Sequence, residues 1–328
     1  MKFSTLIAGS LGFAAAHDFE LVSETEYKFM AYVSQYNKSY GTRAEYNFRM
    51  AIFEQRIAEH ARHNNIQGQT SSQGVNHMTD WTEAEIMRLL GARTSNTMAE
   101  RKQNEAKYPE QFLAAHVDWR EQGAVTSVKN QGHCGSCWTF ATAGAMESAH
   151  FQATGELINL AESQWVDCDT HTGNQGCNGG DVQLAYQYAQ AHPIQLLETY
   201  PYVPEDGTCK YDESLGQVKV TEWHNVRTES VSALKASLVA GPSHVSVRAD
   251  RPVFHQYTGG IITSEECGVE HNHAILAVGY GVEGGIPYYI VKNSWGTGWG
   301  EEGYVRIGQK EGPGICGVQT NPTKPTTN

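Results

Sequence analysis

Asn130–Phe140 reads "NQGHCGSCWTF", two cysteines three positions apart with a tryptophan directly behind the second. Three chemistries fit such a pair: a redox couple, half of a metal site, or a structural cysteine beside a reactive one. The residues after the pair are rich in alanine. Cys137–Thr154 ("CWTFATAGAMESAHFQAT") predicts a helix, with Ser136 as its N-cap and Gly155 as its stop. A cysteine at a helix start lies at the positive end of the macrodipole, which favours thiolate over thiol. A thiolate nucleophile needs a histidine to hold and later deliver its proton. Of 14 histidines, His273 is the best placed, because it begins the strand-like "HAILAVGYG" and so sits on rigid backbone. Asn293, in "VKNSWGTGWG", comes just after another strand pattern and suits the other ring nitrogen, with Trp295 beside it to keep water from that bond.

The surrounding chain has 328 residues, enough for one large domain or two ordinary ones, and its 40% hydrophobic content can bury a core. A formal net charge of −12 disfavours nucleic acid and anionic membrane surfaces as partners, since both are bound through Lys and Arg. The opening "MKFSTLIAGSLGFAAA" has Lys2, a short apolar run and small residues Ala14–Ala16, the pattern of a secretory signal peptide over 1–16. No later stretch approaches eighteen uninterrupted apolar residues, so no membrane span is expected. Export puts the seven cysteines where disulfides persist. Seven is odd, and at least one thiol is left over.

Three regions come after the leader. His17 to about Gly91 has helical patterning, Ala92–Phe112 ("ARTSNTMAERKQNEAKYPEQF") is a polar linker that suits an exposed, cleavable segment, and the remainder holds every cysteine. Within the first, Glu45–Asn64 lacks Gly and Pro. It places Phe48, Ile52, Phe53 and Ile57 at helical spacing, with Glu54, Arg56, Glu59 and Arg62 on the other face. Arg88–Tyr108 is basic while residues 113–328 are strongly acidic, so the linker is either drawn onto that surface or solvated. "AILAVGY", "YYIVK" and "GYVRI", parted by Gly-rich turns, predict antiparallel strands. Helices first and strands later make the fold class α+β.

"NQGHCGSCW" contains the signature C-G-[SA]-C-[WY], and His273 and Asn293 lie downstream of Cys137 at about the distances that go with it. With "VDWREQGAVTSVKNQGHCGSCW", "GCNGG", "NHAILAVGYG" and "YYIVKNSWGTGWGEEGY" in order, the chain closely resembles papain-like cysteine proteases of the cathepsin L type. The likeness runs from the N-terminal region nearly to the C-terminus. It implies a two-lobed fold, one lobe helical and the other an antiparallel β-barrel, behind an inhibitory prodomain at 17–112 and a peptidase domain at 113–328. It makes Cys137 the nucleophile, His273 the general acid/base, Asn293 the orienting group and Gln131 an oxyanion-hole donor beside the Cys137 backbone N–H. It selects the disulfides Cys134–Cys177, Cys168–Cys209 and Cys267–Cys316, leaving Cys137 free. A redox pair is then disfavoured, for the stretch lacks a βαβ setting. So is zinc, because no second C-x-x-C or paired-His motif exists.

The resemblance also implies a substrate cleft built from Gly179, Gly180, Asp181, Val182, Ser246, His271 and Trp295, with Asn321 at the pocket for the second residue before the scissile bond. Relatives have an apolar residue where this chain has Asp181. The expectation here is therefore a basic side chain paired with Asp181, or Asp181 turned idly to solvent. The prodomain pattern is kept at Glu45, Arg49, Phe53 and Asn64 but has Arg56 and His60 where Asn and Ile are usual. Gly74, Asn76, Met78 and Asp80 form the next motif, with Asp80 as an acid-sensitive carboxylate. The implied partners are polypeptide substrates, the chain's own prodomain and cystatin-type inhibitors, acting on a monomer without metal or cofactor. Delivery would be lysosomal, vacuolar or extracellular. With no inserted segment to block one end of the cleft, an endopeptidase is expected. The contrasting class is a catalytically silent, peptide-binding relative.

Overall fold

The computed structural model describes residues 22–94 and 98–328, so the expected leader at 1–16 and residues 95–97 of the linker lie outside the described residues. The chain divides into two compact units, Met1–Met50 and Ala51–Asn328. In the first, helix α1 (Glu24–Gln35) starts at Ser23, whose hydroxyl accepts from the Glu26 N–H. Phe29 is its buried centre, stacked with Tyr32 and Tyr40 and edge-on to Tyr46.

Helix α2 (Arg43–Asn64) forms over the stretch expected, but its buried face differs. Phe53, Arg56, His60 and His63 are the buried side chains, while Phe48 is 53% exposed. The reason is that the helix docks on polar groups. His60 Nε2 meets Gln256 Oε1 at 3.0 Å, His63 Nε2 meets the Ser71 carbonyl at 3.1 Å, and Arg56 pairs with Glu59 at 2.7 Å. Strand β1 (Ser71–Gln73) comes next, and then a buried turn in which Asn76 holds the His255 carbonyl while Met78 fills a fully buried apolar site. Helix α3 (Glu83–Met87) opens on a reciprocal capping box between Thr82 and Glu85. Helix α4 (Met98–Gln103) gives the linker more structure than its sequence suggested.

Beyond residue 112, β2 (Val117–Asp118) precedes three helices, α5 (Cys137–Thr154), α6 (Glu162–Cys168) and α7 (Val182–Ala191). Gly155 ends α5 in the left-handed region (φ 81°). Ser136 makes no cap. Its hydroxyl bonds to Tyr202 Oη instead. The strand-rich half holds β3 (Val220–Asn225), α8 (Val231–Val239), β4 (Ser243–Val247), α9 (Pro252–His255), β5 (Tyr257–Ile262), β6 (His273–Glu283), β7 (Ile286–Lys292), β8 (Tyr304–Gly308) and β9 (Thr323–Thr327). The sheet order is β1-β5-β8-β7-β6-β4-β9-β3, with β2 on β6. Pairing is antiparallel except for β5 with β8. The α+β reading stands.

Strand β6 separates two cores. Its Ala274, Leu276 and Val278 face one that holds Cys137, Trp138, Trp165 and Tyr186 from the helices. Ile275 and Ala277 face the other, with Phe254, Trp295, Trp299 and Val291. By the same period of two, His273 belongs on the second face.

Candidate active site

Cys137 and His273 therefore reach the site from different cores, one at the start of a helix and one at the start of a strand. Both are fully buried. The register of β6 with β7 pairs Leu276 with Lys292, so Asn293, one residue past the strand, comes level with the start of β6. Asn293 Oδ1 lies 2.8 Å from His273 Nε2 and also accepts the Ser294 N–H at 2.8 Å. Accepting from that N–H identifies the atom as the oxygen. The neutral imidazole accordingly carries its proton on Nε2, and Nδ1 is left buried with no hydrogen-bond partner, free to take a proton. Trp295 stacks on the ring at 4.6 Å between centroids, and Phe254 meets it edge-on.

The structure pairs Cys134 with Cys177, Cys168 with Cys209 and Cys267 with Cys316, and leaves Cys137 free. The thiolate expected at a helix start does not form in this covered state. Burial pushes the Cys137 thiol up to about 11 despite the backbone amides of Ala274, Gly91, Trp138 and Cys137 itself. Burial likewise lowers His273 to about 4, opposed by the bond to Asn293. Thiol and imidazole are both neutral.

What covers them is the chain itself. Gln131 is fixed by Ser294, whose hydroxyl donates to its Oε1 at 2.7 Å. Its Nε2 then donates to the Leu89 carbonyl at 2.9 Å and to the Cys134 carbonyl at 2.8 Å. Next along, the Gly180 N–H bonds to the Gly91 carbonyl, the Arg93 N–H to the Gly180 carbonyl, and the Ala92 N–H to the Asn272 carbonyl. Residues 89–93 thus lie in the cleft as a peptide held by its backbone. Gly91 has no alternative there, since a Cβ would meet the Gly135 carbonyl. At Gly180 a Cβ would come within 2.6 Å of Trp138.

Of the other residues expected at the cleft, Asp181 and Val182 follow Gly180 directly. Asp181 is buried and does not turn to solvent, because its carboxylate caps α7 by accepting the Gln183 N–H at 2.8 Å. Val182 is buried in the first turn of α7, Ser246 Oγ lies 3.2 Å from His244 Nε2, and His271 Nδ1 meets Thr320 Oγ1. Asn321 Oδ1 accepts from Gln183 Nε2. Sequence reasoning missed His244, which lies two residues before Ser246 on β4 and so on the same face. It also missed Arg101, a linker residue that is only 4% exposed.

Comparison with known proteins gives the same family from two directions. Residues 113–326 match the family model described as papain family cysteine protease, and residues 29–86 match the cathepsin propeptide inhibitor domain. Cysteine proteinase 2 of Zea mays is 39% identical over 300 residues, covering 89% of this chain and 82% of that protein. A cathepsin L-like proteinase of Fasciola hepatica is also 39% identical, covering 86% and 88%. Among solved structures, procathepsin L2 from the Tenebrio molitor larval midgut superposes with a TM-score of 0.85 at 34% identity, covering 92% of this chain and 99% of that one. The recombinant stem bromelain precursor gives 0.84 at 30%, covering 93% and 99%.

Proposed function

The chain belongs to the papain family of cysteine proteases, and we propose that it is an endopeptidase using Cys137, His273, Asn293 and Gln131, carried as a zymogen. A removable leader at 1–16 precedes an inhibitory prodomain at 17–112 and a peptidase domain at 113–328. The observation that carries this reading is the Gln131 side-chain N–H on the Leu89 carbonyl, 2.9 Å away, with Cys137 beneath the same segment. A donor held there by Ser294 suits the oxygen of a peptide carbonyl under attack.

Catalysis begins when residues 89–93 are gone, water reaches the pair and the burial that keeps both groups neutral is relieved. The thiol proton passes to His273 Nδ1, and the sulfur attacks the scissile carbonyl. Gln131 Nε2 and the Cys137 backbone N–H hold the oxyanion. The imidazolium, steadied through Nε2 by Asn293, gives its proton to the departing amine and leaves a thioester. Water, deprotonated by His273, hydrolyses the thioester and restores the thiol. Gln131→Ala is expected to lower kcat by about 10²–10³ with a smaller change in KM. Steady-state hydrolysis of a fluorogenic peptide measures it, and a loss under fivefold would remove Gln131 from the hole.

Acid is the proposed trigger. Burial holds His60 and His63 below the usual histidine range, and it lowers His255 to about 3 with help from Arg56 and His60. A histidine whose folded value is depressed costs stability as pH falls below its unfolded value of about 6.5, at roughly 1.4 kcal/mol per unit until the folded value is reached. Between pH 6.5 and 4.5 His255 alone would contribute about 2–3 kcal/mol of loss. Glu59 and Asp250 nearby oppose this by favouring the charged rings, while Arg56 adds to it. The precursor is expected to mature at least tenfold faster at pH 4.5 than at pH 7, and His60→Leu to slow maturation at pH 4.5 several-fold. Gel analysis with N-terminal sequencing of the product, and a thiol-directed inhibitor as control, measures both. Asp80→Asn in the same assay separates the carboxylate from the histidines. Equal rates at both pH values would end the idea. The route is through the secretory pathway to a lysosome, vacuole or the exterior, where a monomer would meet polypeptide substrates and cystatin-type inhibitors.

A further inference from the structure

Ser136 should cap α5 and does not, because its hydroxyl is bonded to Tyr202 Oη at 2.7 Å instead. The phenol has one proton, and that proton goes to the Gln131 carbonyl, 2.8 Å away. Ser136 is therefore the donor of the first bond, and a chain of hydroxyls runs from Ser136 through Tyr202 to Gln131. These two residues frame the oxyanion hole. Gln131 carries one donor on its side chain, and Ser136 immediately precedes Cys137, whose backbone N–H is the other. Tyr202 itself lies 66 residues beyond Ser136 and 71 beyond Gln131. It is fixed on its own account. Its ring meets Phe140 of α5 edge-on, with 4.8 Å between centroids, and the next N–H, of Val203, bonds to Ser163 Oγ on α6 at 2.9 Å. Burial raises Tyr202 above the usual tyrosine range, so the hydroxyl remains a donor at acid and neutral pH.

On its other side Gln131 is anchored by Ser294, through its own N–H to the Ser294 carbonyl at 2.9 Å and through Oε1. The Gln131–Gly132 peptide unit that follows is held at both edges, its N–H by Asn130 Oδ1 at 3.0 Å and its carbonyl by Tyr202. Gly132 lies in the left-handed region (φ 61°) and has no Cβ to resist rotation of that unit, so the hydrogen bonds must fix it. An oxyanion hole works only with its donors already in place, and a misplacement of about 1 Å can cost about 10²-fold. We infer that Tyr202 is a positioning residue of the oxyanion hole: its one hydroxyl oxygen holds the Gln131 backbone and Ser136 at a fixed separation, and with them the two donors. This rests on the peptidase reading and extends its machinery to a loop that no motif marks. Tyr202 acts through Gln131 and Ser136.

The test uses enzyme matured from the full chain, a fluorogenic peptide and the peptide aldehyde of the same sequence. The aldehyde is attacked as the substrate is: the sulfur bonds to its carbon, and its oxygen enters the hole and takes up the thiol proton. Iodoacetamide is the control. It alkylates the one free thiol through its methylene carbon, with iodide leaving and no oxyanion formed. Tyr202→Phe keeps the ring and removes only the hydroxyl. It is expected to lower kcat about tenfold and to weaken the aldehyde by the same factor, with KM and the alkylation rate within about twofold. In a Gln131→Ala background the same substitution is expected to cost under about threefold, since the side-chain donor it positions is gone. An equal loss in both backgrounds, or alkylation slowed in step with kcat, makes Tyr202 a general support of the fold and overturns the inference. A loss under about twofold overturns it as well. Should Tyr202→Phe fail to fold, Ser136→Ala takes its place, since the signature around the two cysteines accepts alanine there. Aldehyde affinity is then expected to fall several-fold with alkylation unchanged, and wild-type affinity overturns the inference. A matured wild type that cleaves no peptide and binds no aldehyde would instead overturn the peptidase reading itself.

Discussion

Cys137→Ser is expected to lower peptide hydrolysis by at least about 10⁴-fold while the precursor stays folded and intact at acid pH. The size comes from how a nucleophile, its base and the orienter act as a unit, so that removing the nucleophile costs nearly as much as removing all of them. The structure adds why the fold should survive. Cys137 is the one cysteine outside the three disulfides, and its side chain is buried among Ala274, Gly91 and Trp138 with backbone amides nearby. A serine hydroxyl is smaller than the thiol and can accept from those same amides. Hydrolysis rate, near-UV circular dichroism and the melting temperature should be recorded together. Turnover within tenfold of wild type at an unchanged fold would remove Cys137 from the mechanism. Lost activity with a melting temperature lowered by more than about 8 °C would point to a structural fault instead.

The parts of this site that lay open in the sequence are those set by local pattern. A cysteine opening an Ala-rich run, a histidine opening an alternating apolar run and an asparagine closing another are all local, and the helix and strands formed where those patterns run. What stayed hidden depends on partners distant in the chain. The apolar stripe of α2 did not decide its buried face. His60 is inside because Gln256, 196 residues away, receives it, and Arg56, one turn earlier on the same face, goes in with it, paired locally with Glu59. Arg101 went unnoticed within a linker read as either drawn onto the acidic surface or solvated, because the groups that hold it, the Asn225 side chain on its carbonyl and the Pro322 carbonyl at its Nη2, lie far along the chain. The thiolate is missing for a similar cause: a helix end favours the anion only where water or a counter-charge is at hand, and residues 89–93 exclude the water. The zymogen is silent by that exclusion as much as by obstruction.

A second large effect is expected from a group that no motif announced. Glu147 on α5 and Glu162 on α6 are each 1% exposed, and both accept from Lys129 Nζ, at 2.8 and 2.6 Å. Glu147 further accepts the Leu160 N–H and the Thr126 hydroxyl, and Thr126 in turn accepts from Lys292 Nζ at 2.9 Å. Lys292 immediately precedes Asn293, and Glu147 sits in the same helix as Cys137, so this buried set ties the two sides of the site together. Burial lowers Lys292 to about 8, opposed first by the charge of Glu147. Removing Glu147 would leave Lys129 with one carboxylate, Lys292 with an uncompensated charge and a backbone N–H unsatisfied. Glu147→Ala is therefore expected to cost about 3–5 kcal/mol, the usual range for breaking one member out of a buried ion pair. Replacing the whole set by apolar residues is a different matter and often nearly neutral. Urea unfolding of full-length Cys137→Ser, with and without Glu147→Ala, reads the loss without self-digestion. In the active enzyme the same substitution should lower kcat as Asn293 loses its footing. A cost under about 1 kcal/mol would show that Lys129 and Lys292 find other partners or give up their protons, and that the set does not hold the two sides in place.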